Sequence, residues 1–210
     1  MKSKVVGALV ALAPLISAVH GQNALKNPDF EGKDGWNHWG GVVVEGGHSG
    51  KYGLRIHNDE FKWSGTDQIV IMPEGVKTMT VTGWMKSDTL KKGSRPWENA
   101  RIGVEFYDKE GKMAGGYPPT TGELNRPKDW LQYTRTYTVP AGAFSAKIQL
   151  ALGNSIGTVY FDDLEVLLKG EGDMPLQAGV FKPEPMKPEE YIRLNQVGFF
   201  TSGPKVAVVV

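Results

Sequence analysis

The 210-residue chain has no cysteine, so no disulfide can staple it. Whatever fold it adopts must be held by a buried core of adequate size, by bound metal, or by both. Helical patterning is missing too: no stretch repeats apolar residues at helical spacing, which argues against bundles and alternating α/β folds. Charge of one sign is also scarce. The 24 bases nearly balance the 23 acids, which leaves no electrostatic hold on nucleic acid or on an anionic membrane surface.

Long apolar runs are absent after the opening residues. The early run from Val5 to Ile16 is broken by Pro14 and falls short of the roughly 20 residues that span a bilayer. It follows Lys2 and Lys4 and gives way to the small residues Ser17, Ala18 and Gly21, the pattern of a secretory signal peptide. Residues 1–21 are read as that leader, cleaved after Gly21 or alternatively after Ala18, and the mature protein is expected to be secreted and extracellular.

Turn residues and period-two alternation are plentiful. From Val42 to Leu168, short runs such as Gly53 to His57, Thr78 to Lys86 and Arg101 to Tyr107 alternate apolar with polar residues, as half-buried antiparallel strands do. Between them stand Pro73-Glu-Gly75, Asp108-Lys-Glu-Gly111, Pro118-Pro119, Pro140-Ala-Gly142 and Gly153-Asn154. Many short strands punctuated in this way predict an all-β fold, a two-sheet antiparallel jelly-roll β-sandwich over residues 22–169. Residues 170–190 are rich in Pro, Gly and charge and read as a linker. Residues 191–210 read as the first two strands of a further domain, which two strands cannot complete, so the sequence is expected to be a fragment of a longer product.

The string Ile192-Arg-Leu-Asn-Gln-Val-Gly-Phe199 followed by Pro204-Lys-Val-Ala-Val208 resembles the opening of the immunoglobulin-like domain that precedes the catalytic domain in many family 9 glycoside hydrolases. Upstream, Asn27-Pro-Asp-Phe-Glu31, Gly35-Trp36, Ser49 to Leu54, Gly83-Trp84, Trp130 to Tyr133, Val139 to Gly142 and Val159 to Leu164 resemble carbohydrate-binding modules of families 4, 9 and 22. The resemblance implies a β-sandwich that binds polysaccharide (cellulose, another β-glucan or xylan) ahead of the catalytic domain of an endo-β-1,4-glucanase. It also implies a structural calcium ion held by Glu31, by the Gly47 to Lys51 turn with Ser49 and Lys51, and by Asp162 or Asp163. Calcium takes six to eight oxygen ligands, carboxylates and carbonyls alike, and would supply the staple that cysteine does not. On the residues alone, Asp162-Asp163 could instead simply end a strand, with Glu31 solvated.

Catalysis finds no set of residues here. Glycoside hydrolysis needs two carboxyl groups facing each other across the scissile bond, whereas Asp162 and Asp163 are neighbours that a strand points to opposite faces. Glu105 and Asp108 have no evident partner, and His38, His48 and His57 show no metal-ligand spacing.

Binding is better provided for. If Met79, Val81 and Met85 face the core, Trp84 faces out; if Ile102, Val104 and Phe106 do, Arg101, Glu105 and Tyr107 face out; Gln149 follows from Ile148 and Leu150. A Trp and a Tyr among planar polar groups offer flat faces to sugar C–H surfaces and partners to sugar hydroxyls. A slip of one residue would exchange the faces and make Trp84 and Tyr107 core residues. Trp63 and Trp97, in polar turn-rich segments, are candidates for the walls of the same groove, and Trp36, Trp39 and Trp130 are read as structural. A sandwich that uses its outer sheet for protein contacts is the alternative.

Overall fold

Alternation becomes strand throughout the core of the chain. A computed structural model describes residues 21–179; the remainder of the expected leader, most of the linker and the expected start of a further domain lie outside the described residues. The strands are β1 (Asn37–Trp39), β2 (Gly41–Glu45), β3 (Tyr52–Ile71), β4 (Thr78–Lys91), β5 (Ala100–Tyr107), β6 (Gly122–Leu124), β7 (Lys128–Thr138), β8 (Ser145–Lys169) and β9 (Pro175–Leu176). Every pairing of these strands is antiparallel.

β3 and β8 hold the two layers together. At 20 and 25 residues they are at least twice the usual strand length of at most about ten, and each passes from one layer into the other. Leu54 in the first half of β3 lies opposite Phe161 in the second half of β8, while Thr66 in the second half of β3 lies opposite Leu150 in the first half of β8. Register shifts between Asn58 and Ser64 mark the crossing. There the buried Asn58 amide donates to the carbonyls of Lys62 at 2.9 Å and Ser155 at 3.0 Å, so the bulged backbone keeps its hydrogen bonds. Layer I therefore runs β2, β3, β8, β4, β7, and layer II runs β1, β3, β8, β5, β6.

The core lies between the layers. Leu54, Ile56, Met85 and Phe161 from layer I meet Ile102, Phe106, Ile148 and Leu150 from layer II, all buried, and each contributes about 1.5–3 kcal/mol on leaving water. The Asn27 to Glu31 segment plugs one edge. Asn27 and Phe30 take φ of 47° and 57°, which turns the buried Phe30 ring against Trp36 at 5.3 Å. Trp36 in turn donates its Nε1–H to the Asn27 carbonyl at 2.8 Å, so it is structural, as expected.

The sandwich reaches further than its expected limit at Lys169. β9 pairs with Leu168–Lys169, Gly179 bridges to Ile71, and Leu176 and Ala178 pack against the core. Residues 170–179 are thus part of the domain. Two apolar side chains in a Pro- and Gly-rich segment were enough to dock it.

Candidate functional site

The outer face of layer II carries the candidate site. On β5, Ile102, Val104 and Phe106 are buried, which turns Arg101, Gly103, Glu105 and Tyr107 outward. Register then places Arg101 beside Ala151, Gly103 beside Gln149 and Glu105 beside Lys147. The next strand adds Asp67 beside Gln149. Gly103 contributes no side chain, so the floor is low in its middle.

A cavity of about 690 Å³ opens on this face, lined among others by Trp63, Trp97, Arg101, Glu105, Tyr117 and Gln149. Its volume is that of a small-molecule or oligosaccharide site. Trp63 owes its position to a glycine: a Cβ on Gly153 would come within 2.7 Å of the Trp63 ring, so only glycine lets the indole lie there. The Arg101 guanidinium sits 5.0 Å from the centre of that ring. Trp97 is carried by the loop from Lys92 to Asn99, which the buried Glu98 ties down by accepting from the backbone N–H of Arg95 at 3.0 Å. Trp63 and Trp97 are 45% and 50% exposed, so a ligand can reach both rings.

The polar groups between them are held in place. Glu105 accepts from the Tyr107 hydroxyl and pairs with Lys147 at 2.5 Å. Burial works against ionisation of Glu105, but the hydrogen bonds from Lys147 and Tyr107 and the charges of Lys147 and Arg101 outweigh it and hold the carboxyl below its ordinary range. Burial also lowers the Arg101 guanidinium, against the opposing pull of Glu123 and Glu105, though an arginine stays charged at any ordinary pH. Its Nε and Nη2 are buried and have no hydrogen-bond acceptor among the described residues.

Of the residues assigned to sugar from the sequence, the structure gathers Arg101, Glu105 and Gln149, placed by alternation, with Trp63 and Trp97, placed by their polar segments, in one cavity, and sets Tyr107 next to Glu105 on the same face. Trp84 is not among them. It faces outward, as its alternation with the buried Met85 requires, but β4 belongs to layer I, so it lies on the other outer face. There it stacks on His48 at 3.7 Å, with Trp130 edge-on to the same imidazole at 5.5 Å. Alternation separates inside from outside; it does not say which of two outsides a strand serves.

Two aromatics on the groove face lacked a clear signal. Tyr117, 80% exposed, belongs to a turn between β5 and β6 and lines the cavity. Trp39, read as structural, covers Gly65 in layer II and donates its Nε1–H to Asp67 at 2.7 Å. A Trp opposite a Gly in paired strands could have revealed it, had the pairing been known.

The acids expected around calcium all reach the turn from His48 to Tyr52. Glu31 Oε1 accepts from the N–H groups of Lys51 at 2.6 Å and Tyr52 at 2.7 Å, and Asp162 Oδ2 from those of His48 at 2.7 Å and Ser49 at 3.2 Å. Asp163 accepts from the Ser49 hydroxyl at 2.6 Å and contacts His48 Nδ1 at 2.7 Å. Asp162 is fully buried, and chiefly for that reason its carboxyl is pushed up to about 6. Among the described residues no three acidic or histidine side chains converge as a metal cage. The donor types nonetheless suit a hard cation: carboxylates from the loop before β1 and from β8, and the Ser49 hydroxyl, all oxygen.

The family described as a carbohydrate binding domain, CBM_4_9, matches residues 22–157, so the chain belongs to that family and is a carbohydrate-binding module. Among solved structures it is similar to the enzymatically active domain of tailspike protein 4 of bacteriophage CBA120, at 16% identity and a TM-score of 0.53, over 70% of this chain and 21% of that one. It is also similar to the CBM22-1 xylan-binding domain from Paenibacillus barcinonensis Xyn10C, at 19% identity and a TM-score of 0.50, over 72% of this chain and 97% of that one. A third is TmCBM61 in complex with β-1,4-galactotriose, at 20% identity and a TM-score of 0.49, over 70% of this chain and 99% of that one. The first two likenesses agree with the two-layer antiparallel jelly-roll seen here. The chain spans about a fifth of the tailspike domain and nearly all of the two binding modules. No curated protein matches the sequence.

Proposed function

We propose that the cavity on layer II binds cellulose or another neutral β-glucan, and that this module serves a secreted family 9 endoglucanase. The observation that carries the reading is the cavity itself, with Trp63 and Trp97 exposed on its walls and Arg101, Glu105 and Gln149 between them. Aromatic faces take the C–H surfaces of pyranose rings, and planar polar groups take equatorial hydroxyls. Charge argues for a neutral chain: the bases Arg101 and Lys147 face the acids Glu105 and Glu123, and the Glu105–Lys147 pair is already closed on itself. The buried, unpartnered N–H groups of Arg101 are donors that sugar oxygens could satisfy. Attachment to a family 9 enzyme rests on the Arg193-Leu-Asn-Gln-Val-Gly198 string, and export on residues 1–21.

Calcium is proposed as a stabiliser distinct from the sugar site, held by Glu31, by Asp162 or Asp163, and by oxygens of the turn from Gly47 to Lys51, Ser49 and Lys51 among them. Bound there, it would supply charge compensation for the buried Asp162 carboxylate and tie the N-terminal segment to β8.

Affinity electrophoresis against gels containing barley β-glucan, hydroxyethylcellulose, xylan and galactan tests the glycan assignment. Retardation by the β-glucan gels is expected; retardation by xylan or galactan alone would move the specificity, and migration unchanged in every gel would remove the function.

A further inference from the structure

The cavity has a wall at its β5–β6 side but an aromatic crest where β3 crosses between layers. Phe61 stands at that crest. It is 46% exposed, in the polar run Asp59-Glu-Phe-Lys-Trp63, where nothing in the core requires an apolar ring. Its surroundings tie it to the cavity on two sides. Trp63, a wall of the cavity, is two residues further along the same irregular stretch of β3. The ammonium of Lys91 lies 5.5 Å from the Phe61 ring, and Lys91 ends β4 immediately before the loop that carries Trp97, the other Trp wall. An exposed ring with a cation against it and a Trp on either flanking segment repeats, outside the cavity, the pairing of Trp63 with Arg101 within it.

We propose that Phe61 and Lys91 form an additional sugar-stacking position beyond the cavity, so that a polysaccharide chain runs out of the cavity past Trp63 and over the β3 crest. This rests on the cavity being the glycan site and deepens it: a chain long enough to pass both Trp63 and Phe61 gains a contact that one filling the cavity alone does not.

Chain-length dependence tests the position. Calorimetric titration of the parent, Phe61→Ala, Phe61→Trp and Trp63→Ala is done with the tri- and hexasaccharides of whichever polysaccharide the parent binds. The parent is expected to bind hexasaccharide more tightly than trisaccharide. Phe61→Ala should lose about 5- to 10-fold on the hexasaccharide with trisaccharide affinity unchanged, Phe61→Trp should retain hexasaccharide affinity, and Trp63→Ala should weaken both. Because the ring is exposed, Phe61→Ala should melt at the parent temperature. Hexasaccharide affinity untouched by Phe61→Ala, or an equal loss at both lengths, would overturn the position while leaving the cavity in place. Trp63→Ala binding both oligosaccharides as the parent does, or a parent that binds none, would overturn the cavity reading and the crest with it.

Discussion

Trp63 and Trp84 are both outward-facing tryptophans on strands, and they should behave in opposite ways when truncated. Trp63 keeps nearly half of its surface free. A Trp buries about 150–250 Å², so roughly 100 Å² remains for a ligand, at most about 2.5 kcal/mol at 25 cal/mol per Å². After the costs of ordering the ligand, about 1–2 kcal/mol is left, a large share of the roughly 4–8 kcal/mol of millimolar to micromolar binding. Trp63→Ala should therefore weaken glycan binding by about ten-fold or more. Its loss to the fold is the stacking of Arg101 together with the part of the ring seated on Gly153, about 2 kcal/mol in all, which lowers the melting temperature by no more than about 8 °C, so affinity rather than stability separates it from Trp84. Trp84 lies in layer I against His48 and Trp130. Its truncation removes a half-buried ring, costing about 2 kcal/mol of stability, below the 3–5 kcal/mol of a full core aromatic, with affinity unchanged. Calorimetric titration and thermal melts of the two variants read both quantities. A Trp84→Ala that loses affinity while Trp63→Ala keeps it would refute the assignment of the sugar face to layer II.

Gly153→Ala should push the Trp63 ring off its seat and lower glycan affinity several-fold while the circular dichroism spectrum stays that of the parent; a titration like the parent's would mean the seat does not matter. Glu105 ionises below its ordinary value, so the stability it contributes is complete above the unfolded glutamate pKa of about 4.3 and is lost only as pH falls below that. Melting curves at stepped pH should accordingly show a Glu105→Gln difference that is flat from about pH 5 upward and shrinks at lower pH; a difference that grows on acidification would contradict the sign. Chelation of metal-bound protein should lower the melting temperature by several degrees, reversibly with added calcium, as about 2.7 kcal/mol of saturating ligand implies; elemental analysis finding no bound metal would remove the calcium proposal.

Much of the layer II site was legible because β5 and the first half of β8 alternate without interruption, so Arg101, Glu105, Tyr107 and Gln149 could be placed outward from sequence alone. The misplacement of Trp84 came from a different level. Which sheet a strand joins depends on long-range pairing, here on the point where β8 crosses from one layer to the other, and β4 pairs with the far half of that strand. Trp63 and Trp97 were found by composition, as large rings in polar segments, whereas the place of Trp39 on the layer II face was not legible because its seat, Gly65, is 26 residues away in sequence and adjacent only through the β1–β3 pairing. The end of the domain was set too early because Leu176 and Ala178 are too few to register as a pattern, although each finds a place on the core.

The most direct test is residue-resolved. Amide chemical shifts of the isotope-labelled chain, followed as barley β-glucan hexasaccharide is added, should move on β5 and on the first half of β8, at Arg101, Glu105 and Gln149, and around Trp63 and Trp97, with His48, Trp84 and Trp130 unmoved. Shifts confined to the layer I face, or none at saturating sugar, would contradict the account.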